Sequence, residues 1–375
     1  GNVHPRFWGW VMGNGTPLAM MAELLAAAIN PNMGGGNHAP VLVEEQALRW
    51  CAELMGFPPE STGLLTSGCS AANFHALAVA RHLAVAEVRS EGLGPNTPPL
   101  AIYGSEEMHS SIDRAVELLG LGRNRLVRIE VDERYKVDVA AMRRRIAADR
   151  AKGIRAVAII GCAGTVNCGA CDPLEELAEL ARDEGIWFHV DGAFGAMASL
   201  APRYASLVRG LERADSLSFD LHKWGYLPFE IGCVLVRRPK VQREAFSLTP
   251  SYLERSKRGL AASDVWHSEL GLQHTRGFRA LKLWLTLKAE GSATLGRVIE
   301  KNIDQAHALH DAVVASPQLE AAADGRALHG GDGDPGGAGD GVKGALGLQV
   351  QGVQGGGGGQ GVAVCAGAEG APPGA

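Results

Sequence analysis

Two side chains with acid–base chemistry stand next to each other in the stretch SFDLHKWGY, where His222 and Lys223 follow an apolar run typical of a buried strand. Burial disfavours an ammonium ion, so a lysine held among aromatic residues is expected to lose proton affinity. Such an amine is a nucleophile that forms a Schiff base with an aldehyde. Taken alone, the pair is more often a surface lysine at the end of a strand.

A carboxylate ends a second apolar run, in WFHVDGAFGA, where Asp191 is followed by small residues including Ala193. Small residues let a flat ring approach the chain. A carboxylate against the nitrogen of a pyridine ring keeps that ring protonated, as pyridoxal phosphate requires when it accepts electrons from a carbanion. The alternative is an aspartate that only caps the following turn.

The stretch LLTSGCSAANFHALAVAR is typical of a strand, a small polar turn and a helix. Backbone amides around Gly68, Cys69 and Ser70, together with the dipole of the helix, would bind a phosphate group. The signal is weak because many helix starts after a strand look similar. Its place ahead of the aspartate and the lysine gives it weight.

Two further strand ends carry candidate residues. His109 follows the apolar run LAIYG, and an imidazole there can stack on a cofactor ring and move protons. Thr165, in GCAGTVNCG, is a candidate contact to the ring or its phenolic oxygen. Without the other motifs, we would interpret them as a helix-start residue and a turn residue.

Cysteines offer a competing interpretation. Cys168 and Cys171 form a CxxC pair with Cys162 nearby, but no second pair of ligands follows, so no metal site is predicted. An odd total of seven cysteines in apolar segments indicates reduced thiols.

Strands and helices alternate between residues 60 and 240, which predicts an α/β fold with a doubly wound sheet. The candidate strands are continuously apolar, as expected for strands covered on both faces. In such sheets ligands bind beyond the carboxyl ends of the strands. The predicted strands are 63–66, 100–103, 126–129, 155–161, 187–190, 215–219 and 231–236, and the predicted helices between them are 70–89, 110–119, 139–150 and 173–184.

Four segments are predicted along the chain. Residues 1–60, with helices at 16–29 and 41–55, form an N-terminal substrate-lining and dimer segment, and residues 61–270 form the cofactor-binding large domain. Residues 271–325 contain amphipathic helices that lead into a small C-terminal domain. The Gly-rich residues 326–375 follow neither period and are expected to be irregular or disordered.

Composition excludes several classes of function. A net charge of −5 without long basic runs argues against nucleic acid as a partner. No apolar stretch is long enough to cross a membrane, and the N-terminus lacks a signal-peptide pattern, so a cytoplasmic protein is expected.

These motifs together resemble the pyridoxal-phosphate-dependent group II amino-acid decarboxylases. The resemblance runs from HPRFWGW at His4 to about residue 315 and depends most on HSSIDRA, HVDGAFGA and DLHKW in this order. It implies an aspartate-aminotransferase-like fold (fold type I), with a mixed, mostly parallel seven-stranded sheet flanked by helices and a partial small C-terminal domain. It also implies pyridoxal 5'-phosphate as cofactor and a homodimer with its active site at the interface.

The resemblance also implies roles for the motif residues. Lys223 is similar to the Schiff-base lysine, Asp191 to the partner of the ring nitrogen, and His109 to the stacking imidazole that acts in catalysis. Ala193 is similar to the small residue under the ring. The residues implied near the phosphate are Gly68, Cys69, Ser70 and Asp220, and His222 is implied as a contact to the phosphate or to the substrate. Those implied in the substrate-lining motif are His4, Pro5 and Phe7.

Departures from the family pattern bear on activity. Asp220 stands where aromatic decarboxylases often have a phosphate-binding asparagine. The loop at 261–270 has no tyrosine where those enzymes carry one that protonates the reacting carbon, and Trp266 or His267 is a candidate replacement. The helical segment that usually precedes the HPxF motif is missing, and the Gly-rich tail replaces most of the small domain.

The predicted activity is decarboxylation of an L-amino acid to its amine and carbon dioxide. One rival is another pyridoxal-phosphate enzyme on the same scaffold, a carbon–carbon lyase or an aldehyde synthase. The other is a catalytically impaired homologue that acts as a binding or scaffold protein. The sequence does not identify the amino acid, since Trp8 and Trp10 suit an aromatic substrate and a dimer core equally.

Overall fold

The structure is a computed structural model that describes residues 11–248, 258–259, 262 and 265–317, together with three strand segments at 319–321, 348–354 and 360–366. His4, Pro5, Phe7, Trp8 and Trp10 lie outside the described residues, so their predicted role in substrate lining stays a prediction. Most of the Gly-rich tail also lies outside them.

A seven-stranded sheet forms the centre of the large domain, in the order β1-β7-β6-β5-β4-β2-β3. The five strands β2 to β6 are parallel to one another. Strand β7 lies between β1 and β6 and is antiparallel to both. The predicted mixed, mostly parallel sheet is therefore confirmed. The strands are β1 Thr62–Thr66, β2 Leu100–Ser105, β3 Leu126–Ile129, β4 Arg155–Cys162, β5 Trp187–Asp191, β6 Ser216–Asp220 and β7 Gly232–Val236.

Helices cover both faces of this sheet because its strands carry apolar side chains on both sides. One buried cluster includes Ile102, Ile160 and Val234 with α3 and α5, and the other includes Tyr103, Ile159 and Phe219 on the opposite side. The helices are α1 Pro17–Ile29, α2 Ala39–Leu54, α3 Cys69–Ala84, α4 Val88–Glu91, α5 Ser110–Leu118, α6 Val139–Ala151, α7 Leu174–Glu184, α8 Pro239–Phe246, α9 Ala280–Glu290 and α10 Ser292–Val314.

Local sequence signals set the helix boundaries. Thr16 caps α1 by accepting a hydrogen bond from the amide of Ala19, and Asp138 does the same for α6 through Ala141. Gly185 ends α7 in the left-handed conformation that glycine adopts without strain. The helix predicted at 70–89 stops at Ala84, and the short helix α4 begins four residues later.

A second, three-stranded sheet has the order β8-β10-β9, with β8 Leu319–Ala321, β9 Leu348–Gln354 and β10 Gln360–Ala366. Two of these strands lie within the segment predicted to be irregular. The domain boundaries given above stay a prediction. Among the residues that the structure describes, no helix combines the length and the apolarity that a membrane span needs.

Candidate active site

The carboxyl end of β6 brings the predicted lysine against an acid. Lys223 Nζ lies 3.2 Å from Asp220 Oδ2, and Asp220 Oδ1 accepts a hydrogen bond of 2.7 Å from the backbone N–H of Cys69. Asp220 therefore joins the lysine to the first turn of α3. The predicted phosphate turn and the lysine lie at one place in the fold.

Asp191 ends the neighbouring strand β5, whose residues pair in parallel with β6. Its Oδ1 accepts a hydrogen bond of 3.2 Å from the Ala193 amide, and the Ala193 carbonyl accepts one of 2.9 Å from the Asp220 amide. The charge of Asp191 also acts on the side chains of Cys69 and Lys223. The two residues that the chemistry requires, Asp191 and Lys223, thus face one site.

Burial and charge oppose each other at Lys223. Burial lowers its pKa, but the charge of Asp220, the thiol of Cys69 and the hydrogen bond to Asp220 together raise the pKa above its ordinary value. The sequence-based expectation of a lowered pKa is therefore wrong for this chain without a bound aldehyde. The expectation was wrong because it considered burial alone and not the carboxylate of Asp220, which lies 3.2 Å from Lys223 Nζ.

Cys69 is not a second nucleophile. Burial raises the pKa of its thiol well above the ordinary value, and the carboxylates of Asp220 and Asp191 raise it further. A thiol in this state stays protonated near neutral pH. Cys69 contributes its backbone N–H, and its side chain fills space beneath the turn.

His222 faces the same acid from the other side. Its Nδ1 accepts a hydrogen bond of 3.2 Å from the Ile231 amide, which leaves the proton of the neutral ring on Nε2, 3.6 Å from Asp220 Oδ2. Burial lowers the pKa of His222, against the opposing charge of Asp220. Its ring packs against Phe229 with centroids 4.6 Å apart.

His109 is exposed in the single chain and forms the N-cap of α5. Its Nδ1 accepts a hydrogen bond of 3.1 Å from the Ser111 amide, so the neutral ring carries its proton on Nε2. The alternative prediction, that His109 is a residue at the start of a helix, is therefore correct for its backbone position. An exposed ring with a fixed tautomer is compatible with the predicted stacking role as well.

Close backbone approach shapes the phosphate turn. A Cβ at Gly232 would lie 2.6 Å from the Cα of Gly68 and 2.8 Å from Asp220 Oδ1. A Cβ at Gly68 would lie 3.3 Å from the His222 ring. Glycine at 232 therefore lets β7 and the turn before α3 lie this close, whereas a side chain at 68 would only press on the His222 ring. The exposed Ser70 follows at the start of the helix.

The residues present fit pyridoxal phosphate. They supply an amine, a carboxylate on the adjacent strand, small residues between them, and the amide end of a helix of 16 residues. The one feature that fits poorly is the negative charge of Asp220 at that helix end.

Thr165 and the CxxC cysteines lie together in the turn after β4. The Thr165 hydroxyl accepts a hydrogen bond of 3.1 Å from the Ala170 amide and lies 3.2 Å from Cys168 Sγ. Burial raises the pKa of Cys171 to about 12, so its thiol is a poor metal ligand near neutral pH. The contacts of Thr165 are those of a turn residue, and its predicted contact to the cofactor stays a prediction.

The segment after 264 packs against the turn between α1 and α2. His267 is buried, and its pKa is lowered by burial, with opposing effects from the charges of Glu44 and Arg276. Arg276 Nη2 bonds Glu44 Oε1 at 2.6 Å in this buried pair. His267 is therefore a buried residue near this ion pair, and Trp266 lies against Gly35.

Polar residues behind the site were missed from sequence. Asn73 Nδ2 donates a hydrogen bond of 2.8 Å to Asp191 Oδ2, and its Oδ1 lies 2.9 Å from His189 Nε2. The signal was present in the sequence: His189 and Asp191 are two apart on a buried strand and share a face. Asn73 is a polar residue on the sheet-facing side of an apolar helix.

The fold and the facing lysine and aspartate define a pyridoxal-phosphate-binding protein of fold type I. A family model described as the pyridoxal-dependent decarboxylase conserved domain matches residues 2–328. The chain belongs to this family, whose cofactor is pyridoxal 5'-phosphate.

Similar proteins include several activities. An aromatic-L-amino-acid decarboxylase of Bacillus atrophaeus is 36% identical over 302 residues, 80% of this chain and 61% of the relative. A phenylacetaldehyde synthase of a Rosa hybrid cultivar is 26% identical over 326 residues, 84% of this chain and 63% of the relative. The crystal structure of mouse CSAD matches with a TM-score of 0.77 and 26% identity, covering 84% of this chain and 65% of that one. The chain thus spans less than two thirds of the length of these relatives.

Proposed function

We propose that this protein decarboxylates an L-amino acid to the corresponding amine and carbon dioxide, with pyridoxal phosphate held by Lys223 through a Schiff base. The observation that carries the proposal is the placement of Lys223 and Asp191 at the ends of adjacent parallel strands. Family membership supports the same reaction class.

When bound, pyridoxal phosphate supplies an aldehyde for the amine and a protonated ring that accepts electrons from the substrate's α-carbon. Lys223 would provide the amine that holds the aldehyde, and this amine has to lose the proton that Asp220, 3.2 Å away, stabilises on it. Asp191 holds a negative charge for the ring nitrogen. As the family resemblance implies, His109 would stack on the ring, with Nε2–H available to donate.

The choice of bond is a matter of orientation. The bond that breaks is the one held perpendicular to the ring, so the residues that orient the substrate carboxylate select decarboxylation. We assign this orientation to the motif at His4, Pro5 and Phe7, as the family resemblance implies.

We further propose that the protein is a cytoplasmic homodimer with the site at the interface. Helix α1 supports the dimer, because it buries Ala19, Ala22 and Ala26 while Leu24 is 72% exposed. Free thiols, which are usual in a reducing compartment, are found at Cys51, Cys69, Cys162, Cys171 and Cys233.

The test is reduction of the holoprotein with borohydride, followed by peptide mapping. We expect the vitamin to be tethered at position 223 and the Lys223→Ala variant to show no visible absorbance band and no release of carbon dioxide. A label on another residue would contradict the proposed role of Lys223.

An aldehyde synthase is the second candidate, favoured by the lack of tyrosine at 261–270 and by the similarity to a phenylacetaldehyde synthase. It would consume dioxygen and release aldehyde, ammonia and hydrogen peroxide along with carbon dioxide. Product analysis of a panel of amino acids separates the two activities and identifies the substrate. Failure to bind the cofactor at all would favour the impaired homologue.

A further inference from the structure

A fully buried amide lies directly behind Asp191. Asn73, on α3, is 0% exposed, and its Nδ2 donates to Asp191 Oδ2 at 2.8 Å and to Ser111 Oγ at 3.1 Å. Its Oδ1 accepts a hydrogen bond from the Ser218 hydroxyl and lies 2.9 Å from His189 Nε2. The two N–H donors and the two lone pairs of this amide are therefore all used.

The hydrogen bonds behind Asp191 run in one direction. An ionised carboxylate only accepts, so the nitrogen of the Asn73 amide faces Asp191 and its oxygen faces His189. Because that oxygen only accepts, His189 carries its proton on Nε2.

The series of hydrogen bonds continues on the far side of the His189 ring. Its Nδ1 is then an acceptor for the hydroxyl of Ser216, 2.9 Å away, and the 3.2 Å approach of Nδ1 to the Ser216 carbonyl is not a hydrogen bond. Trp187 Nε1, which can only donate, bonds Ser216 Oγ at 2.8 Å. In this series of hydrogen bonds, each donated proton points toward Asp191.

His189 does not add a charge to this array. Burial lowers its pKa to about 4, against the opposing effect of the Asp191 charge, so the ring is neutral near pH 7. The donor that faces Asp191 is therefore a neutral amide in a fixed direction. Because Nδ2 is a donor, it fixes the Asp191 oxygen that it faces as an acceptor.

We propose that Asn73 is a positioning residue that holds the Asp191 carboxylate aimed at the ring nitrogen of the cofactor, with His189, Ser216 and Trp187 fixing the direction of the amide. This inference rests on the proposed function, since it acts through the contact of Asp191 with the cofactor. The alternative is that Asn73 only ties α3 to the sheet and to α5.

The ring nitrogen itself distinguishes these alternatives. Dissociation constants are measured for pyridoxal 5'-phosphate and for 1-deazapyridoxal 5'-phosphate, which carries C–H in place of the ring nitrogen. Asn73→Leu keeps the size of the side chain and removes its hydrogen bonds. We expect affinity for pyridoxal phosphate to fall about tenfold to a hundredfold, as for a lost hydrogen bond to a charged group, with no fall for the deaza compound.

A conservative variant provides the rescue. In Asn73→Asp, two carboxyls at hydrogen-bond distance share one proton, so position 73 still donates while the pair keeps one negative charge. We expect it to retain more affinity for pyridoxal phosphate than Asn73→Leu. This variant also carries the test if the leucine variant does not fold.

The matched control is Gln242→Leu, which removes an equally buried amide on α8, outside the site. It should alter the affinities for both compounds by the same factor. Equal losses of both compounds in Asn73→Leu, or no rescue by Asn73→Asp, would overturn the inference while leaving the proposed function intact. A wild-type protein that bound neither compound would overturn both.

Discussion

At the scale of single residues, Asp220 places a negative charge between Lys223 and the start of α3. The Oδ1 atom of Asp220 accepts a hydrogen bond from the N–H of Cys69 at the start of α3, and its Oδ2 atom forms an ion pair with Lys223. A helix start of this kind attracts phosphate, whereas a carboxylate beside it repels phosphate. The residue therefore stabilises the chain without cofactor and opposes the anionic end of the cofactor.

The variant Asp220→Asn tests this balance. Its side-chain oxygen can still accept from Cys69, but the negative charge is gone. We therefore expect pyridoxal phosphate to bind roughly tenfold more tightly, which corresponds to about 1.4 kcal/mol of like-charge repulsion removed. The pKa of Lys223 should fall, because its paired charge is lost. Fluorescence titration gives the affinity, and the pH dependence of imine formation gives the pKa.

Asp215→Asn is the control for this variant, because it makes the same change of net charge just before the start of β6. There, Asp215 Oδ2 accepts a hydrogen bond of 2.9 Å from the Phe188 amide. It should leave cofactor affinity unchanged. Weaker binding in Asp220→Asn would show that the carboxylate assists the cofactor, contrary to this account.

At the scale of elements, the seven strands could be predicted to within one or two residues because strands covered on both faces are continuously apolar. The antiparallel placement of β7 between β1 and β6 could not be derived from periodicity, because both directions bury the same side chains. The start of α3 at Cys69 followed from the small polar turn. Its end at Ala84 was missed because the apolar pattern continues to Val88.

The site was predicted less completely than the fold. Lys223 and Asp191 were recognisable because each stands at a strand end, where ligands bind. The spacing of His189 and Asp191 placed these two side chains on one face of a strand, but the partner of both, Asn73 on α3, depends on a tertiary contact that the sequence does not show. The raised pKa of Lys223 depends on a distance to Asp220 that spacing along the chain does not fix.

Helices α3 and α8 are joined by a buried histidine. Gln242 Nε2 lies 3.0 Å from His75 Nε2 and donates to the Leu270 carbonyl at 3.0 Å, and Phe246 stacks on the His75 ring with centroids 4.4 Å apart. Burial, aided by the charge of Arg276, lowers the pKa of His75 from 6.5 to about 3. The folded chain therefore holds this ring neutral.

This lowered pKa predicts acid sensitivity. His75 contributes stability that is present above pH 6.5, the unfolded value, and is lost as the pH falls toward the folded value of about 3. The glutamine of the His75→Gln variant does not titrate. Between pH 6 and 4, the free energy of unfolding of this variant should therefore fall less steeply than that of the wild type, by about 1.4 kcal/mol per pH unit. Urea unfolding of the cofactor-free protein at several pH values measures it.

The control is His274→Gln, which removes an exposed histidine. Its unfolding free energy should follow that of the wild type at every pH. If the curves of His75→Gln and wild type ran parallel below pH 6, the buried histidine would not be the source of acid sensitivity.

At the scale of the whole molecule, α1 is apolar on two faces. One face packs on the chain through Ala19, Ala22 and Ala26. The other is formed by large apolar side chains that are 52% to 72% exposed: Met20, Met21, Leu24, Leu25 and Ile29. A helix that is apolar all round is normally buried on all sides.

The exposed face predicts that assembly and activity are lost together. Leu24→Glu keeps helix propensity but places a charge in the proposed dimer interface, so we expect dimerisation to weaken by about a hundredfold or more. Sedimentation velocity over a range of concentrations measures this, and carbon dioxide release should fall as monomer accumulates, because the site is proposed to need both chains. Leu118→Glu, at a residue 70% exposed on α5, is the matched control and should remain dimeric. An active, monomeric Leu24→Glu variant would show that one chain completes the site alone.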